Sequence, residues 1–278
     1  MNKRLSDKVI IVTGASAGMG REIAERLANE KAIIVLASRR KNLLKKCAEK
    51  ITASGCQSLV VPTDLKKPDQ IKNLVKMTMK NFGRIDVLIN VAAMGYYDWI
   101  EEQTYEELKE QLETNVLGTM ELIRHVVPIM KAQRAGQIIN FASYASQIST
   151  PPLTIYATTK YAIEGLSDGL RRELSPWNIK VTRVHPSAVN TNFNKKAKRH
   201  DGIDYPYDKI TGVTKEMVAK RVIDSIYHPK IAIYVAKFQF AVDFVIFINR
   251  YFPFLIDLVF KSRVKKMWQN DRHHDPQK

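Results

Sequence analysis

Cysteine is nearly missing: Cys47 and Cys56 are the only two in 278 residues. One falls in an expected helix and the other in the turn after it, so no disulfide framework is available and a reducing compartment is expected. No pair of histidines has metal-ligand spacing, and His273-His274 lies in a polar tail, so no metal is expected. Low-complexity segments, internal repeats and linkers rich in Pro, Gly or Ser are also lacking, which excludes a repeat architecture and gives no boundary between two large domains. The apolar run Val9–Val12 is too short for the core of a signal peptide, and the expected location is the cytoplasm.

Acidic residues are scarce relative to basic ones, 28 against 44, which gives 44 − 28 = +16. Beyond Asn194 the count is 17 bases to 9 acids, so the excess is denser towards the C-terminus. Such a charge attracts nucleic acid, anionic lipid and phosphorylated cofactors alike and selects none of them. Nothing else in the sequence favours nucleic acid, and no nucleic-acid partner is expected. With 45% hydrophobic residues the chain can bury a full core, which excludes both a disordered protein and a disulfide-stapled miniprotein.

Seven short β-branched runs punctuate the chain: Val9–Thr13, Ile33–Ala37, Ser58–Pro62, Val87–Val91, Gln137–Ala142, Lys180–His185 and Ala232–Val235. Between them lie helical patterns at Arg21–Glu30, Lys41–Ser54, Asp69–Phe82, Tyr105–Gln133, Tyr156–Leu174 and Lys215–Tyr227. The alternation predicts an α/β fold, a doubly wound seven-stranded parallel sheet of the Rossmann kind. Residues 1–236 are expected to form the catalytic domain and 237–278 an extension. Residues 192–212, with a Lys/Arg/His cluster and no period, are expected to be a substrate loop.

After the first strand the chain reads Thr13-Gly14-Ala15-Ser16-Ala17-Gly18-Met19-Gly20, followed at once by a helix. Glycines at this place let backbone amides approach a pyrophosphate resting on the positive helix end. Thr-Gly-x-x-x-Gly-x-Gly is the signature of the short-chain dehydrogenase/reductase family, and the chain resembles that family from Lys8 to about Val235. The resemblance implies cofactor contacts from Gly14, Ser16, Gly18, Met19 and Gly20. At the end of the second strand, where NAD would want a carboxylate for its ribose hydroxyl, the chain has Ser38-Arg39-Arg40. A 2′-phosphate suits those residues, so NADP(H) is the expected cofactor; the competing reading is that both arginines only cap a strand end in solvent. Asp64 and Leu65 resemble the adenine-contacting pair. Asn90-Val91-Ala92-Ala93 stands where the family has Asn-Asn-Ala-Gly, which keeps Asn90 and Ala92 as cofactor contacts and implies strain if Ala93 takes positive φ.

Tyr156 and Lys160 are four residues apart, on one face of a helix. A tyrosine ionises near pH 10 and needs a neighbouring cation to serve as an acid–base group at neutral pH. The resemblance casts Tyr156 as proton donor, Lys160 as the cation that lowers its pKa and grips the ribose, and Ser143 as the hydroxyl holding a substrate carbonyl. Asn115 would anchor a water behind Lys160. Catalytic residues are therefore expected at Asn115, Ser143, Tyr156 and Lys160, with the last two also touching cofactor. His185-Pro186-Ser187-Ala188-Val189-Asn190-Thr191 resembles the turn that closes over the nicotinamide, with Pro186, Val189 and Thr191 matching and Ser187 replacing a glycine.

Phe238–Phe260 is apolar enough to suggest a membrane span, but Asp243, Arg250 and Asp257 recur every seven residues within it. Burying three charges mid-bilayer would cost roughly 8–10 kcal/mol, and Pro253 interrupts the helix. Two amphipathic helices broken at Pro253 and followed by Lys261–Lys266 are expected instead. Two readings of residues 238–266 stand open: peripheral membrane contact, or packing on the substrate cleft or a sister subunit. Either suggests a lipophilic substrate. The expected activity is NADP(H)-dependent interconversion of a carbonyl and a secondary alcohol on a steroid-like, lipid-like or long-chain molecule. A 3-oxoacyl-thioester reductase and a dinucleotide-binding scaffold with little turnover are the alternatives. A homodimer or homotetramer is expected by analogy with the family.

Overall fold

The computed structural model describes residues 5–189, 198–199 and 212–271, with side chains of the last helix described to Met267. Strands and helices alternate: β1 (Val9–Thr13), α1 (Gly18–Asn29), β2 (Ile33–Ser38), α2 (Lys41–Ala53), β3 (Ser58–Pro62), α3 (Pro68–Phe82) and β4 (Val87–Asn90). A two-residue β5 (Tyr96–Tyr97) precedes α4 (Tyr105–Leu112), a π-helical turn (Glu113–Leu117) and α5 (Gly118–Gln133). Then come β6 (Gly136–Phe141), α6 (Thr154–Glu173), β7 (Ile179–Pro186), the short β8 (Lys198–Arg199), α7 (Lys215–Tyr227) and β9 (Ala232–Val235). Two further helices follow, α8 (Gln239–Tyr251) and α9 (Pro253–Asp271).

Seven strands form one parallel sheet in the order β3-β2-β1-β4-β6-β7-β9, the doubly wound arrangement expected from the alternation of runs. β1 is wholly buried because both of its faces are covered. Ile10 and Val12 face the layer of Ile23, Leu27 and Leu44, whereas Val9 and Ile11 face Ile71, Leu74 and Leu122. Each such aliphatic side chain contributes about 1.5–3 kcal/mol on burial, which explains near-continuous apolar strands rather than alternating ones. Both cysteines are free and buried.

The order reverses between β1 and β4, and in open parallel sheets that is where the carboxyl ends of the strands diverge and leave a crevice. The Thr13 hydroxyl clasps the crevice at its floor, accepting from Val91 N at 3.0 Å and Ala92 N at 3.1 Å. The run expected as a single helix over Tyr105–Gln133 is helical throughout but contains the π turn at Asn115, a feature that 3.6-residue periodicity does not reveal. Among the described residues, no helix is long and apolar enough to cross a membrane.

Candidate active site

A cleft of about 620 Å³ opens at the carboxyl edge beside β1. Gly14 takes φ +68°, and a Cβ there would lie 3.1 Å from the Ala92 backbone. At Gly20 a Cβ would come within 2.6 Å of Gly14 O, so the missing side chain lets α1 begin directly against the turn. Ser16, Gly18 and Met19 complete that wall, and Ser38, Arg39, Arg40, Asp64 and Leu65 line the opposite one. Arg40 is turned towards the glycine turn: its Nε and Nη2 donate to Ser16 Oγ at 3.1 and 2.7 Å. Ser38 Oγ accepts from Arg40 N, and Arg39 stands exposed at the rim. Asp64 Oδ1 accepts from Lys66 N, which fixes the turn that carries Leu65.

Ala92 lines this cleft, but Asn90 does not. Its side chain is buried in the sheet, where Nδ2 donates to Asn140 Oδ1 at 2.9 Å and Asn140 in turn donates to Ser167 Oγ. The Asn90 amide nitrogen is thus engaged in a strand-to-strand link. Ala93 is not among the described residues with positive φ, so the strain expected there does not arise.

Tyr156 and Lys160 rise from α6 beside the end of β6, where Ser143 caps the helical turn Tyr144–Ser146. The Ser143 hydroxyl is hydrogen-bonded to the Tyr156 phenol and also accepts from Ala145 N at 3.1 Å. Lys160 is buried, 3% exposed, and its Nζ donates to Phe141 O at 2.7 Å. That ammonium lies 5.6 Å from the centroid of the Tyr156 ring. Burial pushes Lys160 down to about 8 and pushes the Tyr156 phenol up to about 12, against a smaller lowering from Ser143. The expected lowering of the tyrosine by the lysine is therefore not seen. The lysine is itself desolvated and its Nζ is aimed at a carbonyl, and burial dominates the phenol.

Asn115 sits buried in the π turn between α4 and α5. Its Oδ1 accepts from Met94 N at 2.8 Å, while Nδ2 donates to Met94 O at 2.7 Å and Thr159 Oγ1 at 3.1 Å. Both amide donors are thus taken by the chain, and the side chain fastens the turn after β4 to α6. The π turn around it widens the helix by one residue, a device common where a side chain must be aimed.

At the exit of β7, Pro186 is buried and Ser187 N donates to Val235 O, while Val189 bridges to Val213. Thr191 and most of 192–212 lie outside the described residues. A group absent from the sequence reading is Glu164, one turn beyond Lys160 on α6. It accepts from Ser146, Gln147 and Arg183 and lies beside the buried His185. The spacing 156, 160, 164 was the available signal, since three residues at successive intervals of four share one face.

A model of the family described as short chain dehydrogenase matches residues 8–202. The chain belongs to the short chain dehydrogenase family. Consistent with that membership, an uncharacterised oxidoreductase of Staphylococcus saprophyticus is 36% identical over 192 residues, covering 68% of this chain and 77% of the relative. Among solved structures, an alcohol dehydrogenase from the archaeon Thermococcus sibiricus, complexed with 5-hydroxy-NADP, superposes with a TM-score of 0.74 at 25% identity. The match covers 82% of this chain and 95% of that one. A short-chain dehydrogenase/reductase from Burkholderia phymatum in complex with NAD has the same fold, with a TM-score of 0.78 at 24% identity over 86% and 92% of the two chains.

Proposed function

We propose that this short chain dehydrogenase is an NADP(H)-dependent oxidoreductase that interconverts a carbonyl and a secondary alcohol on a lipophilic substrate. The observation that carries this reading is the Ser143 hydroxyl on the Tyr156 phenol, with Lys160 buried one helical turn away. The cleft is the right kind of cradle for a dinucleotide: Gly14 and Gly20 leave space that a Cβ would fill, and α1 offers its N-terminus. Gly14, Ser16, Gly18, Met19 and Gly20 would hold the phosphates, Asp64 and Leu65 the adenine, and Pro186, Val189 and Thr191 the nicotinamide end. Arg39 at the rim and Ser38 beside it suit a 2′-phosphate, and no carboxylate occupies the end of β2 to prefer a ribose hydroxyl.

When bound, the cofactor would supply hydride exchange with the carbonyl carbon. Ser143 holds the carbonyl oxygen by hydrogen bonding, and Tyr156 transfers its proton to that oxygen. With its phenol at about 12, Tyr156 keeps its proton at neutral pH and is set to act as the proton donor when the carbonyl is reduced. Lys160 contributes its buried charge beside the site.

A lipophilic substrate is supported by the exposed apolar residues of α8 and α9, which adjoin the catalytic turn. Residues 1–236 are read as the catalytic unit and 238–266 as a peripheral membrane contact. Homo-oligomer formation is supported by the exposed Leu112, Leu117, Met120 and Tyr161 on the helical run from α4 to α6.

Titration with NADPH and NADH, read by nicotinamide fluorescence with Arg39→Ala as control, tests the cofactor reading. NADPH preference that collapses in the variant is expected. No binding of either cofactor would overturn the enzyme reading. A panel of lipophilic ketones and a 3-oxoacyl thioester then sorts the substrate class.

A further inference from the structure

Helices α8 and α9 pack on each other and, with the flanking Phe238 and Phe252, carry eleven of the nineteen large apolar side chains that the described residues leave exposed. Phe240 is 92% exposed, and Phe244, Phe247, Phe254, Leu258 and Val259 are all more than half exposed. The partly buried face of α8 carries Gln239, Val242, Ile246 and Asn249, and two of these make polar contacts with the protein body. Gln239 Nε2 donates to the Tyr144 hydroxyl at 3.0 Å, and Asn249 Nδ2 donates to Gln147 O at 2.9 Å. Of the two placements that the sequence left open, the structure therefore turns the greasy band away from the enzyme's own cleft. Contiguous apolar surface of this kind on a monomer marks an interaction site.

Charge separates the occupants. Between residues 237 and 267 there are six bases, Lys237, Arg250, Lys261, Arg263, Lys265 and Lys266, against the two acids Asp243 and Asp257. Gln239 donates to Asp243 at 2.7 Å, on the polar side of α8. A second copy meeting this face by two-fold symmetry would set one basic tail against another. An anionic lipid surface would take the cations at its headgroups and the aromatic rings at its acyl boundary.

From this geometry we propose that α8 and α9 form a platform which docks the protein on an anionic membrane surface, with the turn carrying Ser143 immediately behind it. The proposal rests on and deepens the lipophilic-substrate reading above. Gln239 and Asn249 grip residues 144 and 147, so docking brings the mouth of the catalytic turn to the lipid boundary, and a bilayer-dissolved ketone reaches it without crossing water.

Flotation of the full chain with phosphatidylglycerol vesicles and with phosphatidylcholine vesicles tests the platform, alongside NADPH titration of the same preparations. Partition onto phosphatidylglycerol is expected, well above that onto phosphatidylcholine. Joint replacement Phe240→Glu and Phe244→Glu, at solvent-exposed positions, is expected to lower it about a hundredfold. Lys265→Gln with Lys266→Gln is expected to lower it about thirtyfold. Neither pair should change NADPH affinity. No flotation with either vesicle, or equal flotation with both, overturns the proposal. So does a dimer in sedimentation that the Phe240→Glu, Phe244→Glu variant dissociates, which would assign the face to self-association. Vesicle binding without NADPH binding would leave the platform standing and overturn the enzyme reading alone.

Discussion

Glu164 Oε1 lies 3.1 Å from His185 Nε2, while Glu164 Oε2 accepts a 2.7 Å hydrogen bond from Arg183. The same Oε1 accepts from Ser146 Oγ and Gln147 Nε2, each at 3.0 Å, and His185 Nδ1 stands 3.3 Å from Ser143 O. The Glu164–His185 approach is close but not aligned as a hydrogen bond, and the histidine Nε2 has no such partner. Burial holds the His185 imidazole below its ordinary value, with Glu164 offsetting part of the effect. One carboxylate thus ties α6, β7 and the turn of Ser143 together.

Glu164→Gln should preserve the fold while loosening that turn. Its expected effect is a fall in kcat of up to about a hundredfold, larger than any change in the KM for NADPH, because Glu164 braces the turn of Ser143 and is not among the residues lining the glycine-rich cleft. Steady-state kinetics with a reducible ketone would read the split, with circular dichroism of the same preparation to show an intact folded fraction, since partial unfolding lowers apparent kcat without moving KM.

Tyr156→Phe removes the proton donor and one partner of Ser143 while keeping the ring. Turnover should fall at least about a thousandfold, with NADPH fluorescence titration unaltered within about twofold. Substantial remaining activity would take the acid–base role away from this residue.

Lys160 gives a stability signature with a definite sign. Its folded value is about 8, below the ordinary value near 10.4 that the unfolded chain would show. Between those two the unfolded state holds a proton that the folded state has lost, so stability rises with pH across that window. Denaturant unfolding from about pH 7 to about pH 10 should show the rise, and Lys160→Met should flatten it.

Asp86 works in the opposite direction. Burial alone would raise its carboxyl, yet hydrogen bonds from Arg84, Val9 N and Lys8 outweigh burial and leave it below the usual carboxylate range. Its contribution is complete above about pH 4, the unfolded value, and is lost as pH falls through the lower folded value. Asp86→Asn should destabilise the protein by about 1–3 kcal/mol at neutral pH and weaken its further loss of stability in acid, as thermal unfolding at two pH values would reveal.

The sheet was legible because buried parallel strands must be continuously apolar and their crossovers must be helical: Val9–Thr13, Ser58–Pro62 and Ala232–Val235 coincide with β1, β3 and β9. Pro253 marked the break between α8 and α9 for an equally local reason, its lost donor and ring clash. The partners of Asn90 and Asn115 were not legible because a side chain's partner across the fold is invisible in sequence. Nothing near position 115 reveals that Met94, 21 residues earlier, will satisfy its amide. Glu164 escaped notice for the same reason, since its partners at 146, 147, 183 and 185 come together only after β6, α6 and β7 assemble. The pKa of Tyr156 likewise depends on burial, which spacing does not encode.

The π turn at Glu113–Leu117 gives one continuous helix two phases. Before it, α4 addresses α6, and Tyr96 is bonded to Glu110 at 2.6 Å; after it, α5 turns to α3 and the sheet. One residue of an α-helix rotates the next side chain by about 100°, so the extra residue acts as an indexing step between two contact surfaces. Removing a single residue there would restore regular winding while swinging either α4 or α5 off its partner. Insertion or deletion in this segment therefore shifts its contacts in whole steps of about 100°, which no substitution does.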